Sequence, residues 1–135
     1  MPSAGSWPQL QKAFDRMVET SSEWGAANVA LALSACDHAR TRNWLLDELS
    51  RATHAKRRAC LLAGMGAVAD SMFLPVLMQL DASPSRPRRP DFPPQAICLD
   101  YALHRCRGIH LWRVEKNADD QYVLIKPQPA SQTIQ

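Results

Sequence analysis

Residues 81–95 read DASPSRPRRPDFPPQ, and this stretch decides how the chain is divided. It holds five of the ten prolines together with three arginines. Proline lacks a backbone N–H and its ring clashes with the preceding helical turn, so neither a helix nor a central strand is expected to run through it. We call it the Pro/Arg segment, and we predict that it connects a helical body to a smaller C-terminal unit.

The sequence before the Pro/Arg segment, residues 1–80, has helical periodicity. Leu10, Phe14 and Met17 recur at intervals of four and three, which places them on one apolar face of a first helix beginning near Ser6. The pattern continues almost to the Pro/Arg segment. Residues 1–80 are therefore predicted to form a body of helices.

A long run without glycine or proline lies between Gly25 and Gly64. One straight helix of this length would span roughly 57 Å, too long for a compact domain of this size, so breaks are expected in its polar clusters. We predict three further helices near 23–39, 43–52 and 54–73, which makes four in the body. The second is rich in alanine and is predicted to be the central, most buried helix, because small residues let helix axes approach closely.

The sequence after the Pro/Arg segment, residues 96–127, predicts one helix followed by a β-hairpin. Its strands are expected at 109–116 and 121–126 around the loop 117–120. A two-stranded hairpin is marginal alone in water, so it is predicted to pack on the helical body as part of the same compact domain. The predicted fold class is mainly α (α+β), with a frayed tail at 128–135.

The composition is that of a soluble globular domain. Of 135 residues, 46% are hydrophobic and 21% are charged, which argues against general disorder. No apolar run reaches the length of a membrane span, and the N-terminus lacks the pattern of a signal peptide. The four cysteines show no disulfide spacing, which favours free thiols and a cytoplasmic location.

Positive charge is concentrated in two blocks, residues 40–58 and 82–113, each with six basic and two acidic residues. Twelve of the sixteen basic residues are arginine, whose planar guanidinium suits bidentate contact with phosphate or carboxylate. A solvated, non-binding face is an equally good interpretation of these blocks. The predicted nucleic-acid contacts are Arg57, Arg58, Arg86, Arg88 and Arg89, with Arg105 and Arg107 in reserve.

These residues lead to two hypotheses for function. The first is a non-catalytic accessory or regulatory protein that contacts nucleic-acid backbone through its arginines, with binding that tolerates sequence and falls with salt. The alternative is a protein–protein interaction adaptor that uses the helical body and the Pro/Arg segment, with self-association left open. Both hypotheses predict that the chain is not an enzyme.

No catalytic or metal-binding motif is predicted, and no cofactor. Ser34, Cys36, Asp37 and His38 carry nucleophilic chemistry, but side chains one or two residues apart on a helix point in different directions. A base from elsewhere, such as His54 or His104, would be needed. A second cluster has metal-ligand residue types in a spacing that matches no standard zinc site. Its members are Cys98, His104, Cys106 and His110.

Overall fold

The structure, a computed structural model, describes residues 6–84, 93–108 and 113–125. Within these ranges the chain is mainly α-helical, which confirms the mainly α part of the predicted class but not its α+β part. The predictions for Arg86, Arg88, Arg89, His110 and the tail lie outside the described residues. The helices are α1 (Trp7–Glu19), α2 (Glu23–Cys36), α3 (His38–Arg51), α4 (Ala55–Val68), α5 (Leu74–Ala82) and α6 (Pro93–Cys106), with a 3-10 turn at Ser71–Phe73 between α4 and α5.

The break between α2 and α3 is a single residue, Asp37. Its backbone is extended, with φ −160° and ψ 96°, and its carboxylate accepts a hydrogen bond from the backbone N–H of Arg40 at 3.1 Å. Aspartate is favoured at this position because it satisfies an N–H group that has no partner within the helix. The predicted break is confirmed, although α3 begins at His38, five residues before its predicted start.

A fifth helix in the body corrects the predicted count of four. The helix predicted over 54–73 ends at Val68, where Ala69 adopts the left-handed conformation with φ +58°. Pro75 lies in the first turn of α5. Proline is tolerated there because a first-turn N–H has no helical acceptor.

The central helix is α4, so the prediction that α2 is the most buried helix is wrong. All eight residues from 59 to 66 are buried. A Cβ atom on Gly64 would lie 3.0 Å from that of Ala30 on α2, and one on Gly66 would overlap the ring of Tyr101 on α6. The two glycines therefore let α2 and α6 approach α4 from different sides.

Three aromatic rings tie α1 to α3. The ring of Trp44 lies edge-on to those of Trp7 and Phe14, with centroid distances of 5.5 and 5.1 Å. The indole N–H of Trp7 donates to the hydroxyl of Thr41 at 2.9 Å, so its one polar atom is satisfied although the side chain is buried. These contacts complete the core on the α1 side.

Two short strands, β1 (Arg113–Lys116) and β2 (Tyr122–Ile125), pair antiparallel with Arg113 opposite Ile125. In the connecting loop the side-chain oxygen of Asn117 accepts hydrogen bonds from the backbone N–H groups of Asp119 and Gln121. The positions 109–112 and 126 of the predicted strands lie outside the described residues. So do most strand side chains, and the packing of the hairpin on the body stays a prediction.

Candidate functional site

Arg57, one of the predicted phosphate contacts, is bound to two carboxylates of its own chain. Its guanidinium donates to Asp15 on α1 at 3.0 Å and to Glu48 on α3. Burial alone would lower the pKa of Arg57, but the hydrogen bonds and charges of Glu48 and Asp15 outweigh that effect and raise it. Arg57 is thus a cross-link between three helices.

Arg58 is also occupied within the chain. Its Nη1 donates to the backbone oxygens of Ala52 at 2.8 Å and Leu49 at 3.3 Å, at the C-terminal end of α3. The last backbone carbonyls of a helix have no N–H donor within the helix, so a side chain can bind them. A cation there also complements the negative end of the helix dipole. The contacts of Arg57 and Arg58 explain why cations lie at the start of α4, where the dipole of that helix disfavours them.

The remaining predicted arginines do not join this pair. Arg105 on α6 donates through Nε to the backbone oxygen of Gly66 at 3.1 Å, and Arg107 is exposed just after α6. Positions 57 and 66 are about 13 Å apart along α4. Within the described residues, the predicted site is therefore divided between the two ends of α4.

A hydrogen-bonded relay that the sequence did not predict joins Ser34, His38 and Asp70. The hydroxyl of Ser34 lies 2.6 Å from Nδ1 of His38, and Nε2 of His38 lies 2.7 Å from a carboxylate oxygen of Asp70. The prediction that close neighbours point in different directions is wrong for Ser34 and His38, because the helix breaks at Asp37 between them. The sequence also carried no sign of Asp70, which lies 32 positions after His38. No local pattern could have indicated this partner.

The carboxylate of Asp70 is held ionised at the centre of these contacts. Burial raises its pKa, but hydrogen bonds from the Met72 backbone N–H and from His38, with the charge of Arg42, outweigh that effect, and the pKa of Asp70 lies below its usual range. An ionised Asp70 requires a proton on Nε2 of His38. In the neutral ring Nδ1 then accepts from the Ser34 hydroxyl.

The relay has the order of groups that activates a serine nucleophile: hydroxyl, imidazole, carboxylate. Acyl transfer also needs donors aimed at the developing oxyanion. In the fold, the relay ties the α2–α3 corner to the turn before α5.

A cavity of about 360 Å³ opens between α3, α4 and α5. Its volume falls within the range of small-molecule sites. Arg58 contributes the one guanidinium in the cavity lining, and its Nη1 already donates to backbone carbonyls at the end of α3. The lining residues are Leu49, Ser50, Arg58, Val76, Gln79, Leu80 and Ser83.

The outer face of α2 is apolar and open to solvent. It is formed by Trp24, Asn28, Leu31 and Ala35, all exposed and spaced by four, three and four residues along one side of the helix. Trp24 is 42% exposed and Leu31 is 53% exposed, although both are large apolar side chains. Glu23 is the one Asp, Glu, Lys, Arg or His residue of α2. A helix that is apolar on every side is normally buried on every side. The composition of α2 therefore predicts that this face is buried, but within the described residues it is exposed.

Trp24 is held in place by a neighbour on α6. Its ring lies edge-on to that of Tyr101, with a centroid distance of 5.2 Å. The same Tyr101 ring occupies the space above Gly66 of α4. The outer face of α2 is thereby anchored to the central helix through a fixed aromatic pair.

The described residues contain neither a cluster of metal ligands nor a membrane-spanning helix. The structure places no group of three His, Cys, Asp or Glu side chains there to hold a metal ion. None of the helices described is long and apolar enough to cross a membrane. Cys98 and Cys106 are both buried on α6, within the core cluster.

Comparison with known protein families, characterised proteins and solved structures finds no match for this chain. Function must therefore be inferred from the surfaces of the chain itself. At the start of α4, Arg57 and Arg58 are bound to partners within the chain, whereas the outer face of α2 is uncovered.

Proposed function

We propose that this chain is a non-catalytic protein-interaction module that binds a helix of a polypeptide partner through the outer face of α2. The observation that carries the proposal is the exposure of Trp24 and Leu31 on one uncharged helix face. Exposed apolar residues are ordinary when scattered singly, but a contiguous apolar face marks a binding surface. A helix laid along an apolar stripe is a common mode of recognition.

The dimensions of the face suit a helical partner. From Trp24 to Ala35 it extends about 16 Å along the axis, which is three helical turns. Tryptophan is enriched among the residues that dominate binding energy at protein interfaces. Because Tyr101 already restrains Trp24, less side-chain freedom is lost on binding.

Contact with nucleic-acid backbone is the competing proposal. It is weakened by the internal partners of Arg57 and Arg58, and it now depends on Arg107 and on arginines of the Pro/Arg segment. Fluorescence anisotropy with short DNA and RNA at two salt concentrations tests it. Binding that weakens steeply with added salt would favour this proposal over ours.

A photo-crosslinking amino acid at position 28 tests the proposed interaction. Asn28 is exposed between Trp24 and Leu31, and exposed Gln79 on α5 offers a matched control position. In cells, we expect polypeptide adducts from position 28 and few from position 79.

A matched pair of second substitutions makes the crosslinking experiment decisive. Leu31→Glu should abolish the adducts, whereas Met78→Glu, which changes an equally exposed apolar residue on α5, should leave them. The absence of adducts at position 28, or adducts that survive Leu31→Glu, would contradict the proposal.

A further inference from the structure

We infer that the partner of the outer face of α2 is the same face of a second copy of this chain, packed antiparallel. The inference rests on the proposed function and names its partner. It follows from the order of side-chain sizes along α2, from its charge and from its symmetry.

The sizes along the face complement each other when one copy is reversed. The midpoint of the face lies between Val29 and Ala30, so antiparallel packing places Trp24 opposite Ala35 of the second copy and Leu31 opposite its Asn28. Each large side chain then meets a smaller one, and a two-fold axis makes each contact occur twice. A parallel arrangement would instead place Trp24 against Trp24 and Leu31 against Leu31.

The charge of α2 also fits an antiparallel pair. Symmetric interfaces bring like charges together when a charged residue lies near the axis, but none of the four face residues is ionisable. Glu23 lies at the N-terminal end of α2, so in an antiparallel pair the two copies of Glu23 are about 19 Å apart along the axis. Salt screens charges at that distance, whereas parallel packing would place the two carboxylates side by side.

The polar member of the face helps to fix this register. In the antiparallel pair the two Asn28 side chains lie on either side of the axis, offset by about 4.5 Å along it. A single asparagine within an apolar helix interface specifies register at some expense of stability. Three turns of helix bury less surface than a standard interface, so we expect a weak dimer with a dissociation constant in the micromolar range.

Sedimentation equilibrium of the purified full-length chain tests the inference. The chain should pass from monomer to dimer as its concentration rises through the micromolar range. Leu31→Glu should weaken the dimer by at least about 10-fold, because it introduces two like charges near the axis. Met78→Glu should leave it unchanged, and circular dichroism should show that both variants keep the helical content of the native chain.

A charge-pair experiment tests the antiparallel register. Asn28→Lys and Leu31→Glu should each be monomeric alone, but a mixture of the two chains should form a heterodimer, because the new ammonium of one copy meets the new carboxylate of the other. The double variant N28K/L31E should dimerise with itself for the same reason. In a parallel pair these positions do not face each other, so failure to rescue would overturn the antiparallel arrangement.

The outcomes separate this inference from the proposed function. If the native chain stays monomeric while position 28 captures a different polypeptide, the second copy is excluded and the interaction face stands. If the crosslinked species is this chain itself, both stand. If position 28 captures nothing and the native chain is monomeric, both fall.

Discussion

The helices α2 and α4 are alike in sequence and different in surroundings. Each has 14 residues and is rich in small apolar side chains, and they pack against each other through Ala30 and Gly64. Yet α4 is covered on two sides, by α2 at Gly64 and by α6 at Gly66. In α2 the side with Ala30 is buried, whereas the side with Trp24 and Leu31 is exposed. An apolar circumference therefore predicts that a helix will be covered, and it does not say by which molecule.

The cysteines offer the largest expected difference between these environments. Burial raises the pKa of Cys60 on α4 to about 11 and that of Cys106 on α6 to about 12. It raises the pKa of Cys98 as well, while Cys36 at the end of α2 is only half-buried. Because the thiolate is the reactive form, the three buried thiols should react at pH 8 at least about 100-fold more slowly than Cys36.

Titration of the folded chain with a chromogenic disulfide measures this difference. We expect one fast thiol in the native chain and four in denaturant, and replacing Cys36 with serine should remove the fast phase. A second fast thiol in the native chain would show that the cover of α4 by α6 is loose.

Truncation of one leucine on each helix compares the two in energy. Leu62 on α4 is fully buried, so Leu62→Ala should lower the free energy of unfolding by about 2–5 kcal/mol. Leu31→Ala should change that of the dilute monomer by less than about 0.5 kcal/mol, because Leu31 is exposed. Urea unfolding of both variants checks the pair, and equal losses would mean that the outer face of α2 is covered within the monomer.

The smallest expected effect concerns Asp70, whose contact with His38 stabilises the corner at the end of α2. The quantity affected is the free energy of unfolding. The pKa of Asp70 is lowered in the folded chain, so its stabilisation is present above the unfolded pKa of about 3.9 and is lost as the pH falls through the folded value. Asp70→Asn should therefore cost about 1 kcal/mol at neutral pH, and the difference from the native chain should shrink below about pH 4.

Urea unfolding of both chains across this pH range measures the effect, with the exposed Glu19→Gln on α1 as a comparison. A constant difference between the native chain and the Asp70 variant at every pH would show that Asp70 acts through packing rather than charge.

Local chemistry explains which parts of the fold the sequence predicts. A break in the polar part of the chain near Asp37 was predicted and is present, although at Asp37 it lies inside the range predicted for the second helix. The close packing at Gly64 and Gly66 follows from their lack of a side chain. Pro75 shows the limit of such reasoning, because proline both ends helices and begins them. Whether Pro75 ends one helix or begins the next depends on whether the preceding helix has already ended at Val68. No local pattern decides that.

The site was harder to predict, because its evidence lies in distant pairings. The arginines at the start of α4 look unpaired along the chain, but Arg57 meets Asp15 from 42 positions away. The exposure of Leu31 depends on which side of α2 packs on α4, through Ala30 and the distant Gly64. Composition shows that the chain has charged and apolar side chains. Only the tertiary arrangement decides which of these side chains are paired or buried within the chain and which can contact a partner.

The central place of α4 also has a consequence for synthesis of the chain. Helices made before α4 supply one of its flanks, but α6, which supplies the other, begins only at Pro93. A nascent chain must therefore carry a bare hydrophobic flank on α4 from the time α4 leaves the ribosome until α6 has left it too. Chaperone capture should be greatest in that interval, since exposed apolar surface is what makes partly made domains prone to aggregate.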